Sequence, residues 1–367
     1  MRRTPATLLV ALSLTASALS ACGDEGASDS NSSEDHQKHE WRVAGDPDAT
    51  ADEIIDAGSA ASVATSGGQT LVTYRVESDD DEGPQQGAWR LYDDQGEPVA
   101  DEKLGQVREQ GAVARVRATD GGFLLESYTA PALLHVAADG TTTPVEVAKK
   151  PRPVQAGDLL VQGAEDGNLV YRPSDNAAYQ LPKLPTDQPQ RIAIDEEGVV
   201  WVVLDWADDQ VKLAFSPGGT GPWTKDRLAA GKGGYPVSEI HTGSGRLTLV
   251  TGHGGDEYPV LDSIWTRPAG PGKVAWQSSP LTGADGLKAL DVYLDTLSDG
   301  RLLLEGDAEG AWLQQASGDF AELKLPDNLG FFHSVSAAGD RLYTTGTESG
   351  AFLVSDDFGE SWDEFER

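Results

Sequence analysis

A tight turn followed at once by an apolar run recurs seven times along this chain. It is written Ser66-Gly67-Gly68 before Leu71, Asp120-Gly121-Gly122 before Phe123, Gly157-Asp158 before Leu159, Glu197-Gly198 before Val199, Ser244-Gly245 before Leu247, Asp299-Gly300 before Leu302 and Gly339-Asp340 before Leu342. The turn glycines at 67, 121, 157, 198, 245, 300 and 339 are 54, 36, 41, 47, 55 and 39 residues apart. Between them, runs rich in Val, Leu, Thr, Phe and Tyr are broken every few residues by Gly, Asp, Ser or Pro, the pattern of many short antiparallel strands. No amphipathic helical window of twelve residues or more stands out, which argues against alternating βα folds. A four-stranded propeller blade takes about 40–45 residues. The repeat therefore predicts an all-β chain folded as a seven-bladed β-propeller over residues 57–367, six blades being the alternative count. Radial closure also hides most strand edges, which a long all-β chain must do somehow.

Two segments precede the repeat. Arg2 and Arg3 lead into an apolar stretch from Leu8 to Ala21, too short to cross a bilayer comfortably and typical of an export signal over residues 1–21. It ends at Leu19-Ser20-Ala21-Cys22. Small residues before a Cys at that point resemble the bacterial lipoprotein signal. The resemblance implies cleavage ahead of Cys22, a diacylglycerol on its thiol, and anchorage to the outer face of the cytoplasmic membrane. Cys22 is the one cysteine of the chain, so no intrachain disulfide forms, and an unpaired exported thiol is otherwise a liability. Residues 22–56 read as the lipidated Cys followed by a flexible acidic tether.

With 28 Lys+Arg against 60 Asp+Glu, the formal charge is -32. Such a surplus leaves no basic face for nucleic acid or for anionic lipid. The acids are unevenly placed. If the repeated turn joins the first and second strands of each blade, the loop after the second strand points to the opposite end. Those loops carry Glu77, Asp79, Asp80, Asp81, Glu82, Glu165, Asp166, Asp205, Asp208, Asp209, Asp256, Glu257, Asp307, Glu309 and Glu348. Trp206, His253 and Tyr258 stand among them. The expected ligand face is thus Asp205, Trp206, Asp208, Asp209, His253, Asp256, Glu257 and Tyr258, which would draw a cation such as Ca²⁺ or a basic partner. The plainer alternative is that these are solvated loops that keep the protein soluble. Lys103, Lys149, Lys150, Arg152 and Lys232 fall between blades on the same side and would offset part of the charge.

Near the C-terminus stands Ser355-Asp356-Asp357-Phe358-Gly359-Glu360-Ser361-Trp362, which closely resembles the Asp-box, or BNR repeat, of sialidase-like β-propellers. Decayed copies begin at Tyr92, Ser174, Ser216 and Ser317, one or two blades apart. The resemblance implies a structural hairpin in which Ser355, Asp357, Gly359 and Trp362 serve the fold. Sialidases of this kind also use an arginine triad, with one arginine in a Phe/Tyr-Arg-Ile-Pro motif. Here the nearest approaches are Tyr171-Arg172-Pro173 and Thr266-Arg267-Pro268, and neither matches. The expected function is therefore a membrane-anchored, non-catalytic propeller that binds or scaffolds a protein, peptide or glycan. The alternative is an exo-acting, sialidase-like glycoside hydrolase using two loop acids such as Asp205 and Asp256, which would need to stand about 5–9.5 Å apart.

Overall fold

The computed structural model describes residues 30–365 apart from 79–82, 108–114, 127–132, 162–167, 208, 255–257, 273, 285–286, 290–291, 307–309, 327–328, 330–332 and 347–351. Seven antiparallel-rich sheets follow one another at 59–107, 115–144, 146–180, 191–228, 234–280, 292–322 and 333–364. They are the seven blades of a β-propeller, so the six-bladed count does not hold. First strands of neighbouring blades touch one another in turn from blade 4 through blades 5, 6, 7 and 1 to blade 2, and the strand Leu159–Val161 of blade 3 touches the first strand of blade 4.

In six of the blades the repeated turn joins the first and second strands, as expected, with its glycines in the left-handed region that a tight turn demands. These turns meet one another around one face of the ring. Ser66 Oγ donates to the Thr119 carbonyl at 3.0 Å, Gly245 N to Glu196 Oε2 at 2.8 Å, and Ser298 N to the Gly339 carbonyl at 3.0 Å. The turn before Gly339 closes the circle against Thr65 of blade 1, whose Oγ1 would lie 2.9 Å from a Cβ at that glycine.

Blade 3 departs from the pattern. Its turn at Gly157 precedes the strand Leu159–Val161, which itself occupies one edge of the sheet. The opposite edge is Glu146–Ala148, running parallel to Ala177–Gln180. Pro151 and Pro153 lie between these strands, and proline cannot donate to a ladder.

Each space between blades is filled by its own apolar cluster, so sheets buried on both faces read as continuous apolar runs instead of alternating ones. Leu71, Trp89, Val116 and Phe123 fill the space between blades 1 and 2; Trp201, Leu213, Phe215 and Leu249 fill that between blades 4 and 5. The closing space between blades 7 and 1 contains something more. Helices α1 (Ser30–Gly45) and α2 (Ala51–Ala57) contribute Val43, Ala44, Ile54, Ile55 and Ala57 to it, and the connection between them adds Ala49. The flexible tether expected through residue 56 therefore gives way to a packed helical strap from about residue 38, which includes the end of the 16-residue α1. Thr50 and Glu53 close a capping box on α2, with Thr50 N donating to Glu53 Oε2 at 2.8 Å.

The octapeptide Ser355–Trp362 spans the turn from the third to the fourth strand of blade 7. Ser355 Oγ donates to Asp357 Oδ1 at 2.8 Å and accepts from Gly359 N at 2.7 Å, while Asp357 takes both the N–H and the hydroxyl of Ser361. Those donors, the Ser361 hydroxyl first, hold the Asp357 carboxyl down to about 2. Trp362 Nε1 donates to the Lys324 carbonyl of the preceding connection at 3.0 Å. Gly359 sits at φ +86, and a Cβ there would lie 2.7 Å from Leu323 Cδ2. Gly359→Ala is expected to cost about 2 kcal/mol through strain and crowding, read as a lower denaturation midpoint. The shorter look-alikes at 92, 174, 216 and 317 all fall on the corresponding turns, and Ser216 Oγ accepts Gly221 N at 2.9 Å much as Ser355 accepts Gly359.

Candidate functional site

The end of the ring opposite the turns is described in part. Asp205 and Trp206, both exposed, lie near the end of the second strand of blade 4, Val199–Ala207. Asp205 pairs with Lys212 on the next strand at 3.3 Å. The Trp206 ring lies 6.4 Å from that of Tyr235 in blade 5. Asp209 occupies the following turn at φ +62 and accepts Gly233 N at 2.8 Å, tying blade 4 to blade 5. His253 ends the strand Arg246–His253, its Nδ1 3.4 Å from Asp262 Oδ2. Tyr258 is half-buried in the connection that follows. Glu77, at the end of the second strand of blade 1, pairs with Arg75 at 3.2 Å. Asp208, Asp256 and Glu257 lie outside the described residues, as do the acids of the loops at 79–82, 165–166, 307–309 and 348. Among the described residues, no three His, Cys, Asp or Glu side chains gather as a metal ion would require.

The structure thus brings Trp206, Tyr235 and Asp209 to the seam of blades 4 and 5, while His253 turns to Asp262 within blade 5. Two of the basic residues expected nearby belong elsewhere. Lys103 lies in the fourth strand of blade 1, Pro98–Val107, and Arg152 sits against Asp175 and Tyr179 of blade 3.

Sequence reasoning missed the charged wall of the channel. In blade 2, Arg115 is exposed, while Arg117 lies 2.6 Å from Glu126 and donates to the Leu160 carbonyl of blade 3 at 2.7 Å. Arg117 thereby covers the edge where blade 3 has no further strand. In blade 4, Arg191 pairs with Glu239 at 3.0 Å. The His241 Nε2 of blade 5 lies 2.6 Å from Thr296 Oγ1 of blade 6. Burial pushes His241 below its ordinary range, against the pull of Asp295 and with help from Arg115, so the ring is neutral at pH 7.

The acids of this wall are already engaged. Asp295 accepts Ala337 N at 3.0 Å and Glu305 accepts Val335 N at 2.9 Å, as Ser62 Oγ accepts Val116 N at 3.1 Å in blades 1 and 2. A first strand has one edge without a ladder partner, and in each case the preceding blade supplies the acceptor. Burial raises Glu305 to about 7 despite the Val335 N–H. It also raises Glu126 against the opposing charges of Arg117 and Arg115. The signal in the sequence was polar residues inside otherwise apolar first strands, as in Arg115-Val116-Arg117 and Leu294-Asp295.

The two arginine-proline pairs are structural. Arg172 forks onto Asp158 at 3.0 and 2.8 Å and donates to the Pro153 carbonyl. Arg267, 2% exposed, lies 4.4 Å over the Trp201 ring and pairs with Asp226 at 3.2 Å. Both sit at the turn face, inside blade packing.

No family model and no curated protein matches the sequence. Solved structures do resemble it. The β-propeller domain of the Trilobed protease from Pyrococcus furiosus aligns with a TM-score of 0.51 at 8% identity, over 84% of this chain and 98% of that one. An acylaminoacyl peptidase from Pyrococcus horikoshii gives 0.51 at 10% identity, over 84% of this chain and 52% of that one. A puromycin-hydrolyzing peptidase from Mycobacterium tuberculosis gives 0.47 at 12% identity, over 89% and 56%. This chain spans about half the length of those two peptidases. At such identities the likeness is one of fold.

Proposed function

We propose that this chain is an exported, lipid-anchored β-propeller of the Asp-box kind, which binds or scaffolds a protein, peptide or glycan outside the bacterial cytoplasmic membrane and performs no chemistry itself. One observation carries the reading over hydrolysis: the described acids at the channel and its mouth are held by protein groups. Asp205 is held by Lys212, Asp209 by Gly233 N, Asp295 by Ala337 N and Glu305 by Val335 N. A glycosidase needs two carboxyls facing an open pocket across a fixed gap. The burial of Arg172 and Arg267 supports the same reading, because neither is placed to hold a substrate carboxylate. The exposed ring of Trp206 beside Tyr235 suits a contact surface, where aromatic anchors dominate.

A glycan array and a peptide pull-down with the intact chain test the binding role. Trp206→Ala is expected to weaken any captured ligand about tenfold or more while leaving the melting temperature in place; release of sugar from an array glycan would contradict the non-catalytic reading. For the anchor, Cys22→Ala should move the protein from the membrane fraction to the soluble one or arrest its maturation. Cys22 lies outside the described residues, and unchanged membrane association of the variant would remove the anchor.

A further inference from the structure

The two ends of the propeller exchange no strand among the described residues: blade 1 is built wholly from 59–107 and blade 7 from 333–364. Blade 7 is also thin at its rim. Its fourth strand, Asp363–Glu364, has 2 residues, against 10 for Pro98–Val107 in blade 1. The outer face of blade 1 thus has little neighbour to pack on, and α1 and α2 lie there, against its second, third and fourth strands. Their apolar side chains join Tyr74 and Tyr92 of blade 1 and Phe352 and Phe365 of blade 7 in one cluster. The strap contributes no strand to any sheet. Side chains of blade 1 hold it instead. Gln86, fully buried, donates from Nε2 to the carbonyls of Val43, Ala44 and Asp46 at 2.7, 3.0 and 2.6 Å. Lys103 Nζ donates to those of Pro47 and Ala49 at 2.8 and 2.9 Å, and Arg90 pairs with Asp52. Gln86 satisfies carbonyls that the end of α1 leaves without helical partners.

We infer that residues 38–57 are a clasp that shuts the ring at the seam of blades 7 and 1, held by side chains in place of an exchanged strand and able to release as a unit. Local opening proceeds by contiguous units. Release of this one uncovers the seam and leaves the other six interblade cores intact. Whatever is joined to the chain ahead of residue 38 is coupled through the clasp to the opening of the ring.

Hydrogen exchange on the full chain carrying Gln86→Leu and Lys103→Met tests this, since both changes keep side-chain bulk and remove the ties. The expected result is exchange roughly tenfold faster in the second strand of blade 1 and the third strand of blade 7, with blades 3–5 within a factor of two. A chain beginning at residue 59 should show the same pattern, roughly 100-fold, and a synthetic peptide of residues 38–58 should reverse it. Should that chain fail to fold, the double variant alone decides. Unchanged exchange at blades 1 and 7, or equal acceleration in every blade, would overturn the clasp.

Discussion

Arg267→Leu is expected to destabilise the protein by about 3–5 kcal/mol, the range for breaking a buried ion pair from one side. The guanidinium lies over Trp201 at 4.4 Å, with Phe215 at 5.5 Å and Trp276 at 5.8 Å. Its nitrogens reach Asp226 and the carbonyls of Pro268, Gly270 and Gly272. Leucine fills part of the volume but leaves those carbonyls without their donor and Asp226 without its cation. Trp276 Nε1 still donates to Asp226 at 3.1 Å, which keeps the loss inside that range. Thermal and urea unfolding measure it, with the exposed Arg246 as control, where alanine should change stability by no more than about 0.5 kcal/mol. Equal effects at the two positions would show that the buried arginine does not join blades 4 and 5.

Lowering the pH from 8 to 5 is expected to stabilise the fold, by up to about 3 kcal/mol for each of two carboxyls. Glu40 and Glu305 are both pushed from 4.5 to about 7, chiefly by burial. For Glu40 the Glu77 N–H and Arg75 pull the other way, and the Glu77 charge adds to the rise. A raised acid holds its proton in the folded chain after the unfolded chain has released it. The stabilisation is therefore complete below about 4.5 and is lost as pH rises to about 7. Self-repulsion in a chain of formal charge -32 works in the same direction, whereas His241 and His135, both held below their ordinary range by burial, take up protons more readily unfolded and offset part of the gain below about pH 6.5. Glu40→Gln with Glu305→Gln should flatten the slope between pH 5 and 7 and raise the urea midpoint at pH 8, because a neutral amide still offers an oxygen to the Glu77 and Val335 N–H groups. An unchanged slope would locate the pH dependence elsewhere.

The ring was legible in the sequence because its turns impose a backbone need that few residues meet. Gly198 at φ +76 and Gly300 at φ +85 mark the chain whatever packs above them. The strap left a fainter trace. Its apolar residues are few and split between two helices, so Val43, Ala44, Ile54 and Ile55 show no sustained period, although Thr50-Ala51-Asp52-Glu53 spells a capping box. The channel wall was hidden for a different reason. Arg117, His241 and Asp295 look like blemishes in weak strands until the closed ring turns their edges inward. The rearranged third blade had no sequence signature beyond Pro151 and Pro153, since strand order depends on pairings across the ring.

That third blade also sets the symmetry of the ring. Seven like blades would present a visitor with seven interchangeable rotational settings about the axis. A sheet that ends on Leu159–Val161, with Arg117 of its neighbour laid against Leu160, makes one sector of the wall unlike the rest. The ring therefore has a fixed direction about its axis in place of sevenfold equivalence.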